Sequence, residues 1–282
     1  MQYLKQIILN NRNKKIGFLI TARLKSTRLK LKILKNLNGY TVIDRVINRA
    51  KLVNNCDEVI LCTSYINQDL PLVRCAQENN TSYFIGHPDD VLDRLNKACQ
   101  FYGLDYAVCM TADNPLFSIN FSNKIVEKFL SNPDLDYIYT EGLPIGLNPY
   151  GLSAKALKTI CAIKVEVDTE IWGPLFLQSK IFNLFKFQAD KSIRIPIKRL
   201  TLDEELDYEL LNEIFNQFDK DYIIDESDLE NLFHSKPELL KINSSVNQKS
   251  IEEKQLKRIK SFFNFNREKI LRIKQEIYSQ KE

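Results

Sequence analysis

The chain has 282 residues, enough to bury a sizeable core as one large domain or as a domain with an appendage. Hydrophobic residues make up 44% and charged residues 27%, with 8 Gly and 9 Pro, which excludes collagen-like and low-complexity classes. The net charge of +4 is misleading: residues 249–282 carry seven Lys and three Arg against five Glu, so the body is near neutral and offers nucleic acid no broad electrostatic footprint.

No run of about 18 apolar residues exists, so no membrane-spanning helix is expected. The start, MQYLKQIILNNRNKK, has too short an apolar stretch and no small-residue cleavage site for a secretory signal. The six cysteines are scattered without a C-x-x-C, and only His87 and His234 are available as imidazole ligands, poor material for zinc. A reduced, cytoplasmic protein is expected.

From residue 15 onward, strand-like and helix-like segments alternate. KIGFLIT (15–21) suits a buried strand, and TVIDRVINRAKLV (41–53) has apolar residues at helical spacing. DEVILCTS (57–64) predicts a second strand, DLPLVRCAQENN (69–80) a second helix, and SYFI (82–85) a third strand. VLDRLNKACQFYG (91–103) is an amphipathic helix closed by Gly103, and DYAVCMTADNP (105–115) is a fourth strand ending in a turn. The β-α-β order predicts a mostly parallel sheet with helices on both faces, whose ligands sit beyond the carboxyl ends of the strands. Past Asp136 the pattern loosens around Pro144, Gly146, Pro149 and Gly151, then gives helices near 153–163 and 170–180. KSIRIPIKRLTLD (191–203) alternates like a strand, placed at an edge by Pro196. DEELDYELLNEIFNQF (203–218) reads as an amphipathic helix that Asp203 could cap.

Three loops after strands carry the chemistry. The first, Thr21 to Lys32, holds five cations and three hydroxyls. It can turn N–H groups and cations toward a polyphosphate; taken on charge alone, it equally describes a solvated basic loop. It is no Walker loop, for it contains no glycine. The second holds Asp113, able to bind Mg²⁺ or to make an Asx turn before Pro115; the third holds Asp203, able to bind a metal or to cap a helix. Together at the strand ends of one sheet, they point to phosphoryl transfer.

The segment IGFLITARLKSTRLKLK (16–32) resembles the A-R-x-x-S-x-R-L-P-x-K signature of the cytidylyltransferases that activate sugar acids, and above all their spore-coat-polysaccharide-type relatives. The resemblance continues through YTVIDRVINRAK (40–51), DEVILCTSYINQD (57–69), GHPDDVLDR (86–94), TADNPL (111–116) and LTLDEELDYEL (200–210). It implies a nucleotide-diphospho-sugar transferase fold, a Rossmann-like three-layer α/β architecture, with CTP as donor, Mg²⁺ as cofactor and pyrophosphate released. Ala22, Arg23, Ser26, Arg28 and Lys32 fall on the phosphate loop, with Arg23, Lys32 and Asp113 as the catalytic set and Asp113 and Asp203 as the metal-binding pair. Thr63, Ser64, Asp90 and Arg94 are implied near base and ribose. Lys30 replaces the usual loop proline, and DTEIWGP (168–174) stands where relatives carry an Arg-Glu-His-like segment, so Glu170 and Trp172 become the acceptor candidates. Trp172 can equally be an anchor in a core or in a dimer contact.

The expected plan is an N-terminal extension (1–14), a catalytic domain (15–220) and a helical C-terminal extension (221–282). The expected partners are CTP and a small acidic or phosphorylated acceptor on the way to a surface polysaccharide such as a capsule, with no nucleic acid and no membrane. A phosphorylated or phosphonate-bearing non-sugar acceptor, or a non-catalytic nucleotide-binding assembly role, is the alternative. In the tail, Leu256, Ile259, Phe263, Ile270, Ile273 and Ile277 form a stripe at 3–4 spacing, suited either to a homodimer contact or to packing on the body.

Overall fold

The computed structural model describes residues 14–190, 192–248 and 251–280. The expected N-terminal extension, Lys14 apart, lies outside the described residues. The first strand, β1 (Ile16–Thr21), is buried along its whole length and occupies the middle of a seven-stranded sheet. Its side chains alternate between faces, as a period of two requires. Ile16, Phe18 and Ile20 enter one core and Leu19 the other.

A two-stranded hairpin, β2 (Asn36–Leu37) and β3 (Tyr40–Thr41), leads into α1 (Val42–Ala50), which a Thr41–Asp44 capping box opens. Then follow β4 (Glu58–Ser64), α2 (Pro71–Glu78), β5 (Ser82–Gly86), α3 (Val91–Tyr102) and β6 (Tyr106–Thr111). Asp90 caps the start of α3, and Gly103 closes it in the left-handed region, φ 63°. The remaining elements are α4 (Ile119–Ser131), β7 (Tyr137–Glu141), β8 (Tyr150–Ser153), α5 (Ala154–Ile163), α6 (Gly173–Ser179), β9 (Leu184–Gln188), α7 (Glu205–Phe215), α8 (Glu226–Ser235), α9 (Glu253–Phe265) and α10 (Arg267–Ser279).

The sheet order is β5-β4-β1-β6-β8-β7-β9. Only β8 runs against the rest, pairing antiparallel with both β6 and β7. Helices cover both faces. One core gathers α1, α2, α4, α7 and α8, and the other gathers α3, α5, α6, α9 and α10. The C-terminal helices thus divide between the faces. Ile224, Leu229 and Phe233 join the first core, whereas Ile259, Phe263 and Ile270 of the tail stripe are buried in the second. Those three stripe residues pack within the chain.

Three elements differ from the sequence expectation. Helix α4 was not anticipated, although Ser118 caps it and Phe121, Ile125, Val126 and Phe129 form its buried stripe. The segment 191–203 forms no strand among its described residues. Ile193, Ile195 and Ile197 lean on the first core, but the backbone makes only an isolated bridge between Ile145 and Arg199. The edge strand is instead β9, parallel to β7. Helix α6 begins at Gly173, three residues after the expected start, with Pro174 in its first turn. None of the six cysteines forms a disulfide, and no described helix is long and apolar enough to cross a membrane.

Candidate active site

From β1 the chain moves to β4 and β5 on one side, then returns to place β6 on the other. The crevice at this reversal, outside the carboxyl ends of β1 and β6, is where open α/β sheets bind ligands. Thr21 and Thr111 are register partners at those ends, so the loop beginning at Ala22 and the turn carrying Asp113 leave the sheet side by side. The ladder runs one step further, with Ala112 N–H donating to Thr21 O at 2.9 Å.

A third chain segment reaches the same place by backbone pairing. Leu202 N–H donates to Asp113 O (2.9 Å) and Leu200 N–H to Ile145 O (2.7 Å). Gly146 permits this approach: a Cβ there would lie 2.7 Å from the Leu200 carbonyl carbon and the Thr201 nitrogen, and its φ of 100° suits glycine alone. Asp203 therefore arrives opposite Asp113.

Lys32 joins the two. Its Nζ lies 2.5 Å from Asp113 Oδ2 and 2.9 Å from Asp203 Oδ1. Burial pulls the ammonium's pKa down, but the two carboxylates outweigh it and hold it above the usual lysine value. Burial likewise works against Asp203 ionisation; Lys32, Arg28 and Arg199 overcome it and set its pKa below the ordinary range. Arg28 contributes at 3.0 Å to Asp203 and 3.4 Å to Glu204. Neither aspartate is a helix cap. Asp113 accepts from the Thr111 hydroxyl (2.5 Å) and the Asn114 amide (3.0 Å), while Asp207, not Asp203, receives the N–H groups at the start of α7.

The other end of the phosphate-loop candidate faces a second acidic set. Arg23 lies 2.8 Å from Asp89 and donates to Pro88 O, and Lys25 pairs with Asp89 (3.1 Å) and Glu170 (2.6 Å). Ser26 Oγ accepts from Leu29 N–H at 3.4 Å. Beneath the loop, fully buried Asp69 accepts Leu24 N–H (2.7 Å) and the Ser64 hydroxyl, and Gln68 donates to Leu24 O (2.7 Å). Ser64 is therefore committed to holding the loop. Asp69 and Gln68 were missed as site residues because nothing in their spacing marks them as partners of Leu24.

The remaining candidates are spread more widely. Asp90 caps α3 and accepts from Thr169 (3.0 Å) and from Lys164. Arg94, 1% exposed, donates to His87 O at 3.0 Å, and its Nε has no partner among the described residues. The buried Thr63 hydroxyl likewise has none among them. Trp172 is buried in a ring cluster, 4.8 Å from Tyr150, 5.5 Å from Phe176 and 5.6 Å from Tyr137. It supports Tyr150, which in turn lines a cavity of about 350 Å³ with Asp113, Asn114, Asn148, Asp203 and Gln248. Glu170 and Trp172 are not among the lining residues.

The family model of the cytidylyltransferases matches residues 18–269. The chain belongs to the cytidylyltransferase family. This cytidylyltransferase is 31% identical over 241 residues to an uncharacterized protein of Methanocaldococcus jannaschii, covering 85% of this chain and 98% of that one. It is 24% identical to the spore coat polysaccharide biosynthesis protein SpsF of Bacillus subtilis, over 79% of this chain and 95% of that one. The structure of a cytidylyltransferase from Leptospira borgpetersenii matches with a TM-score of 0.73 at 24% identity, covering 85% of this chain and 100% of that one. The fold is the mixed α/β nucleotidyltransferase fold, and the chain is a CTP-dependent nucleotidyltransferase.

Proposed function

We propose that this cytidylyltransferase moves CMP from CTP to a small acidic or phosphorylated acceptor, releasing pyrophosphate, in the assembly of a surface polysaccharide. The observation that carries the reading is the meeting of Lys32, Asp113 and Asp203 at the strand reversal. The polysaccharide context rests on the likeness to the spore coat protein.

The residues present fit Mg²⁺. A single ammonium touches both carboxylates, so one cation position serves both. Among the described residues no group of three or more His, Cys, Asp or Glu could hold a metal unaided. Two aspartates completed by substrate phosphates are what Mg²⁺ commonly takes. Bound there, the ion would supply positive charge against the phosphates.

The chain's own residues do the rest. Arg23, Arg28 and Lys32 offer donors to the triphosphate, exchanging their present carboxylate partners for phosphate oxygens, and the Ser26 hydroxyl adds one more donor. Lys32, lying between the aspartates, is the cation set to offset charge as pyrophosphate leaves. The unpartnered Thr63 hydroxyl is the base-side donor or acceptor to test first. The cavity beside Asp113 and Asp203 is the place for the acceptor, whose oxygen would attack the α-phosphorus in line.

A pyrophosphate-release assay with the four nucleoside triphosphates, against sugar acids and phosphorylated acceptors, tests the reading. Release with CTP and one acceptor class, abolished by EDTA and restored by Mg²⁺ or Mn²⁺, is expected. Equal use of all four triphosphates, unaffected by EDTA, would overturn it.

A further inference from the structure

Behind Asp203 lies a buried polar assembly that the reaction itself does not need to touch. Arg199, 3% exposed, extends from the segment leading into α7. Its guanidinium grips Asp207 with both prongs, Nε to Oδ1 at 3.0 Å and Nη2 to Oδ2 at 2.8 Å. The same Nη2 reaches Asp203 Oδ2 at 3.1 Å, and Nη1 donates to Gln248 Oε1 at 2.9 Å.

Asp207 is fully buried, and its two oxygens also accept Asp203 N–H (3.0 Å), Glu204 N–H (3.1 Å) and the Asn243 amide (3.0 Å). With five donors on two oxygens, the charge is satisfied, as a carboxylate at this depth requires. Asn243 also donates to Arg199 O at 3.3 Å. Asp203 is thus held at two points, its backbone by Asp207 and one carboxylate oxygen by Arg199. The other oxygen, Oδ1, is the one that faces Lys32 and Arg28 in the crevice.

An aspartate carboxylate turns easily about its last torsion, and a ligand that turns loses orientation each time it releases its ion. Helix capping by Asp207 explains the two N–H contacts. It does not explain a guanidinium laid across both carboxylates. We propose that Arg199 is a positioning residue for the metal site, with Asp207 and Asn243 as its support: it holds Asp203 Oδ2 so that Oδ1 is presented to the divalent cation. The proposal rests on the reading that Asp203 is a metal ligand.

The test compares Arg199→Lys, Asn243→Ala and Asp203→Asn, each checked for folding by thermal melting. Mn²⁺ binding is titrated by electron paramagnetic resonance without turnover, and the metal dependence of pyrophosphate release is measured alongside. Arg199→Lys keeps a cation beside Asp207 but loses the planar fork. It is expected to weaken Mn²⁺ binding about 10- to 100-fold, as loss of a ligand's hydrogen-bond support does elsewhere. The rate should recover at saturating metal, and the KM for CTP measured there should be unchanged. A lower rate at an unchanged metal constant would mean a structural role only, and would overturn the proposal. If Arg199→Lys does not fold, Asn243→Ala decides: it removes the support that the Asn243 amide gives to Asp207 Oδ1 and Arg199 O and so loosens the guanidinium's hold, and a metal constant equal to the parent's would overturn the proposal. Asp203→Asn separates the two ideas. If it leaves Mn²⁺ binding untouched, the metal reading fails; if it alone weakens binding, only the role of Arg199 fails.

Discussion

Lys32 Nζ donates to Asp113 Oδ2 at 2.5 Å, so a lysine from the loop after β1 closes on an aspartate from the turn after β6. It occupies ground that a divalent cation would contest. Lys32→Met is therefore expected to act in two directions. Without nucleotide, Mn²⁺ should bind more tightly, because two like charges lose their internal counterion. Turnover should fall by about 10²–10³-fold, the usual cost of removing one preorganised stabilising group. Mn²⁺ titration and single-turnover kinetics check the two arms. Weaker metal binding in the variant would show that Lys32 supports the cation rather than competing with it.

Asp113→Asn and Asp203→Asn should each abolish measurable turnover and leave the fold in place. Both side chains are partly open to the crevice, at 21% and 15% exposure, and the exchange keeps their volume. Circular dichroism and pyrophosphate release suffice as measurements. Near-parental rates in both variants would reduce the carboxylates to partners of Lys32 alone.

Glu170 and Lys25 pair at 2.6 Å, with about half of the glutamate side chain exposed. An exposed pair of this kind contributes about 0.5 kcal/mol, so Glu170→Gln should barely alter stability. Releasing Lys25 from one of its two carboxylates, Asp89 remaining, should lower the KM for CTP about two- to threefold, the same small energy expressed in binding. A change confined to the acceptor's KM would put Glu170 at the acceptor instead.

Phe263 of α9 is 3% exposed and lies in the core that contains Trp172 and Phe176. Phe263→Ala should destabilise the protein by about 3–5 kcal/mol through the cavity it leaves. Urea denaturation gives that value, and light scattering should show no change of mass. A fall in mass with little loss of stability would mean that the tail stripe joins subunits.

The reading of the sequence was strongest where local pattern and tertiary role coincide. β1, β4 and β6 are apolar runs because they are central strands, and Asp113 and Lys32 stand out because they follow such strands. Alternation misled at Ile193, Ile195 and Ile197: a period of two reports a half-covered surface, and Pro196 interrupts the donors that backbone pairing needs. Helix α4 has its signals in the cap Ser118 and the buried stripe from Phe121 to Phe129. Arg199 and Asp207 were illegible for a different reason. A cation and an acid eight residues apart acquire meaning only when the segment before α7 folds back onto the helix. Trp172 showed its size in the sequence but not its direction, which the rings of Tyr137, Tyr150 and Phe176 determine.

The reach of Asn243 and Gln248 back to Asp207 and Arg199 also bears on how the protein is born. A nascent chain exposes Lys32 and Asp113 early in synthesis, when the sheet can already begin to form. Asn243 and Gln248, which support the brace on the opposite aspartate, follow about 130 positions later. Ribosome-bound chains ending before Asn243 would therefore carry a phosphate loop whose acidic counterpart lacks the Asn243 and Gln248 contacts behind it, and competence for the reaction would come only after these residues are added.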